Sequence, residues 1–189
     1  MNRKLSEFAT FANSLSSDGA FLESVESATR TAIHVLKSGG TLFVCGNGGS
    51  ATQASHMVGE LVGRFRFDRP ALPAISLFDL ATTTAIGNDY GYDEIFSRFV
   101  VGLGKRHDIL FSLSTSGNSK NCIRAIEEAS KKGMKTVSLL GRDGGEMKAM
   151  SDTSIVVPSD DTPTIQEIHL MILHDLCDRI ERDFFGNNR

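Results

Sequence analysis

Apolar residues recur along this chain at two spacings, one helical and one typical of strands. The helical spacing from Leu5 to Ala12 and from Phe21 to Leu36 predicts two N-terminal helices, and the glycines after Ser38 mark the end of the second. Short apolar runs with little polar alternation then predict strands buried on both faces, as in a parallel sheet. These runs are Thr41–Cys45, Ala74–Leu77, Asp108–Ser112, Thr136–Leu140 and Thr153–Val157.

Helical patterns separate the predicted strands and follow the last of them. They cover Ser50–Val62, Asp93–Leu103, Ser119–Lys132, Gly145–Met150 and about Thr164–Phe184. This alternation predicts an α/β fold, a three-layer sandwich in which helices cover both sides of a five-stranded, mostly parallel sheet. We expect one domain over residues 1–189, with N-terminal helices in residues 1–38 that pack against another helix or another subunit.

Composition narrows the class of protein. The 189 residues are 40% hydrophobic and 23% charged, with a net charge of −3, so neither nucleic acid nor an anionic membrane is an expected partner. The N-terminus lacks the apolar core of a signal peptide, and no apolar run is long enough to span a bilayer. The three cysteines form no Cys-x-x-Cys pair, so neither disulfides nor a cysteine-rich zinc site is expected, and a cytoplasmic location is favoured.

A glycine-rich turn, Gly46-Asn47-Gly48-Gly49-Ser50, follows the first predicted strand. Glycines let a backbone approach a ligand closely, Ser50 is a candidate N-cap, and the new helix offers free N–H groups to an anion. The alternative is a tight turn between strand and helix with no ligand. In an open parallel sheet, ligands bind beyond the carboxyl ends of the strands, where this turn lies.

The same turn also matches the dinucleotide fingerprint through Gly46, Gly48 and Ala51. That fingerprint requires an acidic residue about 20 positions later, at the end of the next strand. Asp68 precedes the next predicted strand and Asp79 is too distant. A nicotinamide cofactor is therefore not expected.

A serine-rich loop, Ser112–Ser119, follows the third predicted strand and leads into a helix. Hydroxyls and backbone amides at a helix N-terminus can hold a phosphate without a lysine or a metal. The loop lacks the Gly-Lys-Ser/Thr of a Walker motif, so hydrolysis of ATP or GTP is not favoured. A simple polar cap and turn is the alternative.

Charged and imidazole side chains on two predicted helices are candidates for catalysis. His56 and Glu60 have i, i+4 spacing, which suits either two metal ligands or an ordinary helical ion pair, and Arg64 follows one turn later. Arg64 suits a sugar phosphate or a carboxylate, or else pairs with Glu60. On the final helix, Gln166 and His174 lie on the more apolar side, with Glu167 and His169 elsewhere on the helical wheel.

The motifs together resemble those of a known family, the phosphoheptose isomerases of the sugar isomerase (SIS) fold. The resemblance extends over nearly the whole chain, with the motifs in the same order. They are Gly46-Asn47-Gly48-Gly49-Ser50, His56-x-x-x-Glu60-Leu61, Gly63-Arg64, Gly87-Asn88-Asp89, Ser114-Thr115-Ser116-Gly117-Asn118-Ser119 and Ile165-Gln166-Glu167-Ile168-His169.

The resemblance implies an activity and a set of site residues. The implied reaction interconverts D-sedoheptulose 7-phosphate and D-glycero-D-manno-heptose 7-phosphate, the first step toward activated heptose for lipopolysaccharide or capsule, in a cytoplasmic, zinc-dependent homotetramer. The implied zinc ligands are His56, Glu60, Gln166 and His174. The implied substrate contacts are Asn47, Gly48, Gly49, Ser50, Glu60, Arg64, Asn88, Asp89, Ser114, Thr115, Ser116, Ser119 and Gln166. Glu60 and His174 carry the implied acid/base chemistry.

These residues suit an aldose–ketose conversion, which needs a base, an acid and stabilisation of an enediolate. Zinc can polarise the oxygens, and Glu60 or His174 can move the proton. The division between ligand and base stays open. Gln166 and His174 are eight residues apart, about 12 Å along a helix, whereas each zinc ligand must reach within about 2.2 Å of the ion. We therefore expect them to serve different sites, each built from more than one subunit.

One departure from the family pattern and one different class of function remain. Relatives usually have an arginine just before Ile165-Gln166, where this chain has Asp161-Thr162-Pro163-Thr164.

The different class of function is a non-catalytic SIS-fold tetramer, either a regulator of replication initiation that binds a protein partner or a sensor of sugar phosphates. The replication regulator lacks counterparts of Glu60 and His174, so their presence here favours an enzyme.

Overall fold

The computed structural model describes residues 2–186, and within them five strands form one sheet. All pairings are parallel, in the order β2-β1-β3-β4-β5. The strands are β1 Leu42–Gly46, β2 Ala74–Ser76, β3 Ile109–Ser114, β4 Lys135–Gly141 and β5 Thr153–Val157. The predicted five-stranded α/β sandwich is confirmed, and the sheet is wholly rather than mostly parallel.

Helices cover both faces of this sheet. They are α1 Asn2–Leu15, α2 Gly19–Lys37, α3 Gly49–Val62, α4 Leu80–Asp89, α5 Ile95–Leu103, α6 Lys120–Lys132, α7 Met147–Met150 and α8 Thr162–Phe185, with a 3-10 turn at Tyr92–Glu94. Side chains of α1, α2, α3 and α8 share one apolar core with alternate strand residues such as Val44. Those of α5 and α6 share a second core with the intervening residues, such as Phe43. Burial on both faces explains the lack of polar alternation in the strands.

Helix α4 was not predicted from the sequence. Its segment contains three consecutive threonines and Gly87, which are poor helix formers, and Ile86 is its buried residue. The helix begins after Asp79, whose carboxylate accepts a hydrogen bond from the Thr82 backbone N–H at 2.8 Å. Because local capping rather than apolar periodicity supports α4, the hydrophobic pattern gave no signal for it.

The strand order brings two loops together at one edge of the sheet. From β1 the chain crosses to β2 on one side, whereas from β3 it continues through β4 to β5 on the other. The loops that follow β1 and β3 therefore leave the sheet in opposite directions and open a crevice at its carboxyl edge. The glycine-rich turn and the serine-rich loop both lie at this crevice. None of the helices described here is long and apolar enough to cross a membrane.

Candidate active site

The glycine-rich turn after β1 leads directly into α3. Gly48 is the N-cap and the helix begins at Gly49, so the prediction that Ser50 caps the helix is wrong. Ser50 lies in the first turn instead and is 3% exposed. The turn is closed by backbone hydrogen bonds, such as that from Ser50 N–H to the Asn47 carbonyl at 3.0 Å, and the N-cap Gly48 has no side chain to cap the helix.

Asn47 joins this turn to the start of α6. Its amide exchanges two hydrogen bonds with the buried Asn121, with Nδ2 to Oδ1 distances of 2.9 and 2.8 Å. The Tyr92 hydroxyl donates to the same Asn47 Oδ1 at 2.8 Å. The sequence reading missed Asn121 and Tyr92, because only the fold brings them to Asn47. Three elements thus fix the Asn47 side chain in the crevice.

The serine-rich loop is ordered by its own hydroxyls. Ser114 Oγ and Ser119 Oγ lie 2.9 Å apart, and Ser114 Oγ accepts from the Gly117 N–H at 3.1 Å. Ser116 Oγ accepts from the Asn118 N–H at 3.2 Å. Ser119 is the N-cap of α6, but in the described chain its side chain caps no helical N–H. Cys122 N–H donates to Asn121 Oδ1 at 3.0 Å, so within the described chain the N–H groups of Lys120 and Asn121 remain available beside a group of hydroxyls.

The loop is also packed against the segment that follows β4. Gly117 has φ +67°, and a Cβ there would lie 2.0 Å from the Gly144 carbonyl oxygen. The Thr115 carbonyl oxygen packs in the same way against Gly141. Gly144 and Gly145 both have positive φ, so α7 begins only at Met147 rather than at Gly145 as predicted. The serine-rich loop and the segment after β4 are therefore held against each other. We call the serine-rich loop, the predicted phosphate site, the cradle.

A polar cavity of about 570 Å³ adjoins this cradle. Arg142 follows β4 and is, among the described residues, the one non-glycine residue with positive φ, at 58°. Its guanidinium is exposed in the cavity together with two carboxylates, so the cavity carries charges of both signs. The lining residues are Ser116, Asn118, Arg142, Asp143, Pro158, Ser159 and Asp160. Arg142 was not singled out from the sequence, although a Gly-Arg-Asp-Gly-Gly run directly after a strand could have indicated it.

Helices α3 and α8 bring three of the four implied zinc ligands together. His56 Nε2 lies 2.8 Å from His174 Nε2 and 3.2 Å from Glu60 Oε1. One ligand atom from each residue lies within 4.8 Å of the other two. Two imidazole nitrogens and a carboxylate oxygen are a donor set that zinc uses. The residues present therefore fit a metal ion, and we call them the His56–Glu60–His174 cluster.

Gln166, the fourth implied ligand, lies at the other end of α3. A Cβ on Gly49 would be 2.6 Å from Gln166 Nε2, and Gln53 Nε2 donates to the Gln166 carbonyl at 2.6 Å. Gln166 therefore faces the first turn of α3, whereas His174 faces its last turns. Within one chain, the two residues occupy different ends of the α3–α8 contact.

His169, rather than His174, is the core histidine of α8. It is 0% exposed, its Nε2–H donates to the Leu140 carbonyl at 3.1 Å, and burial lowers its pKa to about 4. Gln166 and His174 are only partly buried and flank the apolar stripe. The prediction that His169 lies away from the apolar side of α8 is thus wrong, because His169 is four residues after Ile165 and three before Ile172, on the same buried face.

The remaining implied contacts lie at the surface. The structure ends α3 at Val62, so Arg64 is exposed beyond the helix and does not continue the face of His56 and Glu60 as predicted. Asn88 and Asp89 form the exposed end of α4, where Asn88 Nδ2 donates to Asp89 Oδ1 at 2.8 Å. Their segment continues to Tyr92, which contacts Asn47.

Comparison with known proteins places this chain in a family. The model of the SIS domain matches residues 12–141. A phosphoheptose isomerase of Helicobacter pylori strain P12 is 51% identical over 172 residues, covering 88% of this chain and 90% of that protein. One from Sulfurimonas denitrificans is 50% identical over 167 residues, covering 88% and 86%.

A solved structure agrees with these sequence relatives. The phosphoheptose isomerase of Francisella tularensis superposes with a TM-score of 0.91 at 38% identity, covering 96% of both chains. At this identity and coverage the likeness extends over nearly the whole chain. The chain belongs to the phosphoheptose isomerases, enzymes built on the SIS domain.

Proposed function

We propose that this protein interconverts D-sedoheptulose 7-phosphate and D-glycero-D-manno-heptose 7-phosphate through an enediol. The observation that carries the proposal is that the fold brings His56, Glu60 and His174 together. His56 and His174 are 118 residues apart in the sequence. A carboxylate and two imidazoles at hydrogen-bonding distance supply the acid and base that enolisation requires. Membership of the phosphoheptose isomerases supports the choice of substrate.

The serine-rich loop is the proposed phosphate site. Hydroxyls of Ser114, Thr115, Ser116 and Ser119 and the N-terminus of α6 suit the three oxygens of a phosphate ester. Arg142, exposed in the adjoining cavity, supplies a positive charge near the cradle. Asp143 and Asp160 in the same cavity favour sugar hydroxyls over a second phosphate. The substrate therefore enters with its phosphate at the sheet edge and its hydroxyls in a polar cavity.

Glu60 is the proposed base for the carbon-bound proton. An imidazole nitrogen that ligates a cation has no lone pair left for a proton, whereas a carboxylate has two oxygens. Glu60 takes the proton from C1 of the ketose and returns it to C2, while one proton is added at O2 and one is lost from O1. His174 has two alternative proposed roles: it is the acid/base group for the substrate oxygens if its Nε2 does not bind the ion, and otherwise it is a zinc ligand only.

Zinc is the proposed cofactor, one ion per site. His56, Glu60 and His174 would hold it, with Gln166 from a neighbouring subunit, and when bound it supplies Lewis-acid polarisation of the substrate oxygens. Gln166 is assigned to a neighbour because it faces the opposite end of α3 from the cluster in its own chain.

A homotetramer with sites at subunit interfaces is part of the same proposal. Large apolar side chains are exposed on and beside α4 and α5, as expected of surfaces that another copy covers. They are Phe78, Leu80, Tyr90, Tyr92, Val101 and Leu103. We further propose a cytoplasmic enzyme whose product feeds surface glycans, either lipopolysaccharide or capsule.

The first experiment measures aldose formation from D-sedoheptulose 7-phosphate by the purified protein, with added zinc and after chelation. Glu60→Gln removes the base, so turnover should fall by about 10²-fold or more. Glu128→Gln, at a partly exposed position of α6 where Glu128 pairs with Lys131, is the matched control and should leave turnover unchanged. Full activity of Glu60→Gln would contradict the assignment of the base. Absence of turnover in the wild type would favour the non-catalytic SIS-fold reading.

His174→Ala separates the two roles of that residue. If His174 is only a zinc ligand, the variant and the chelated wild type should retain the same residual turnover. If it also exchanges protons with the substrate oxygens, the variant should be slower than the chelated wild type.

A further inference from the structure

A buried ion pair connects the segment after α3 to α8. Arg69 Nε lies 3.0 Å from Glu181 Oε1, and the two side chains are 2% and 0% exposed. Burying two charges is unfavourable unless further hydrogen bonds satisfy both groups. The partners of the two side chains therefore indicate what the pair holds in place.

Arg69 closes the carboxyl end of α3. Its Nη2 donates to the Glu60 carbonyl at 2.7 Å, and its Nη1 donates to the Leu61 carbonyl at 2.6 Å and to the Gly63 carbonyl at 3.2 Å. These carbonyls lie in the last turn, where a helix leaves its acceptors without intrahelical partners and favours a cation. Arg69 thus binds the backbone of Glu60, a member of the His56–Glu60–His174 cluster.

Glu181 holds the residues that follow α3. Its Oε1 accepts from the Phe65 N–H at 3.0 Å, and its Oε2 accepts from the Arg66 N–H at 2.8 Å. The Phe65 ring in turn stacks on His174, with centroids 5.7 Å apart and planes 22° apart. Glu181 therefore fixes the backbone of the residue that packs against the His174 imidazole.

We propose that Arg69 and Glu181 are positioning residues for the His56–Glu60–His174 cluster. Two members of the cluster lie on α3 and one on α8, so its geometry depends on how far each helix is displaced along the other. Arg69 and Glu181 tie the end of α3 to α8 two turns beyond His174. This inference rests on the proposed function only in treating the cluster as a metal site.

Glu181→Gln replaces one carboxylate oxygen of the Arg69–Glu181 pair with a nitrogen. Both Glu181 oxygens accept hydrogen bonds from N–H donors. In the variant one of these acceptors becomes an NH₂ group facing a donor, so the contact to Phe65 or to Arg66 is lost. Arg69→Lys is a second variant, which keeps the charge but cannot reach the carboxylate and several carbonyls together.

Asp108→Asn is the matched control. Asp108 is also a buried carboxylate that accepts from two backbone N–H groups, those of Thr41 and Lys105. Neither partner lies on α3 or α8. The control therefore makes the same carboxylate-to-amide change at a buried position away from the cluster.

The first readout is the long-range ¹H–¹⁵N spectrum of the imidazoles in metal-free protein. Two Nε2 atoms 2.8 Å apart must include one protonated and one unprotonated nitrogen. The signals of this protonated and unprotonated pair of Nε2 atoms should be lost in Glu181→Gln and Arg69→Lys and retained in Asp108→Asn. Unchanged signals in both variants would overturn the inference, and if Glu181→Gln does not fold, Arg69→Lys decides it.

The second readout is zinc affinity, measured by competition with a chromophoric chelator. The two variants should bind zinc about ten-fold more weakly or worse, with Asp108→Asn unchanged. Equal affinities in all four proteins would count against the inference. A wild type that binds no zinc and turns over no sedoheptulose 7-phosphate would instead contradict the proposed function. The metal-free spectra would still decide the positioning role.

Discussion

At the scale of single residues, His169 is a neutral imidazole in the core. Burial lowers its pKa to about 4, and Nδ1 has no hydrogen-bond partner in the described part of the chain. In the unfolded chain the same group takes up a proton near pH 6.5. Between these values the unfolded state binds more protons than the folded state, so stability falls as the pH falls.

We predict that the free energy of unfolding decreases by about 3 kcal/mol between pH 6.5 and pH 4 through this residue. His169→Gln can still donate to the Leu140 carbonyl but does not titrate, so this part of the pH dependence should disappear. Urea denaturation at a series of pH values measures it. His107→Gln, at an exposed position, should keep the wild-type slope. The same slope in both variants would show that other groups cause the loss.

Single residues also mark what the sequence could and could not predict about the site. The i, i+4 spacing predicted that His56 and Glu60 share a face of one helix, but it fits an ordinary ion pair equally well, and only the family resemblance implied a ligand role. That His174 joins them depends on the packing of α3 against α8, which no local pattern encodes. Arg64 was misplaced because Gly63 ends the helix. Arg69 went unnoticed because its partners are backbone carbonyls and Glu181, which lies 112 residues away in the sequence.

At the scale of elements, α4 depends on its cap. Hydrogen bonds from the Thr82 hydroxyl and backbone N–H hold the pKa of the Asp79 carboxyl below its usual range. The helix has little buried apolar surface, and its far end carries Asn88 and Asp89. Elements with strong apolar periodicity were predicted to within a few residues, whereas α4 was missed because its stability comes from this local contact.

We predict that Asp79→Ala loosens α4 without unfolding the sheet. Amide hydrogen exchange should become faster throughout α4. If Asn88 and Asp89 contact the substrate, as the family resemblance implies, the KM for the sugar phosphate should also rise several-fold because they are no longer held. Asp18→Ala removes the corresponding cap of α2 and serves as the control. It should speed exchange only at the start of α2. Unchanged exchange in α4 of Asp79→Ala would refute the role of the cap.

At the scale of the whole molecule, the cradle and the cluster occupy different places. The serine-rich loop lies at the carboxyl edge of the sheet, whereas His56, Glu60 and His174 lie along the flanks of α3 and α8. Gln166 faces the opposite end of α3 from the cluster. This separation is the structural reason to expect sites shared between subunits.

We predict that two inactive variants restore activity when they assemble together. Glu60→Gln and Gln166→Ala, each nearly inactive alone, should regain about a quarter of wild-type turnover after mixing under conditions that exchange subunits. A quarter is expected because that fraction of composite sites receives two intact halves. Light scattering on the same samples gives the oligomeric state. No recovery from exchanged oligomers would place each complete site within one chain.

Because the cradle and the cluster are separate, evolution could change the catalytic residues of this protein without changing its ligand-binding loops. In the proposed function, loops at the sheet edge bind the ligand, whereas partly exposed side chains of α3 and α8 transfer the proton, and the two helices pack through other residues. Substitutions at Glu60 and His174 therefore leave both hydrophobic cores untouched. We expect a protein that carries both substitutions to keep its fold and the proposed affinity for phosphate esters. One gene duplication followed by these two substitutions would then produce a non-catalytic binding protein beside the enzyme.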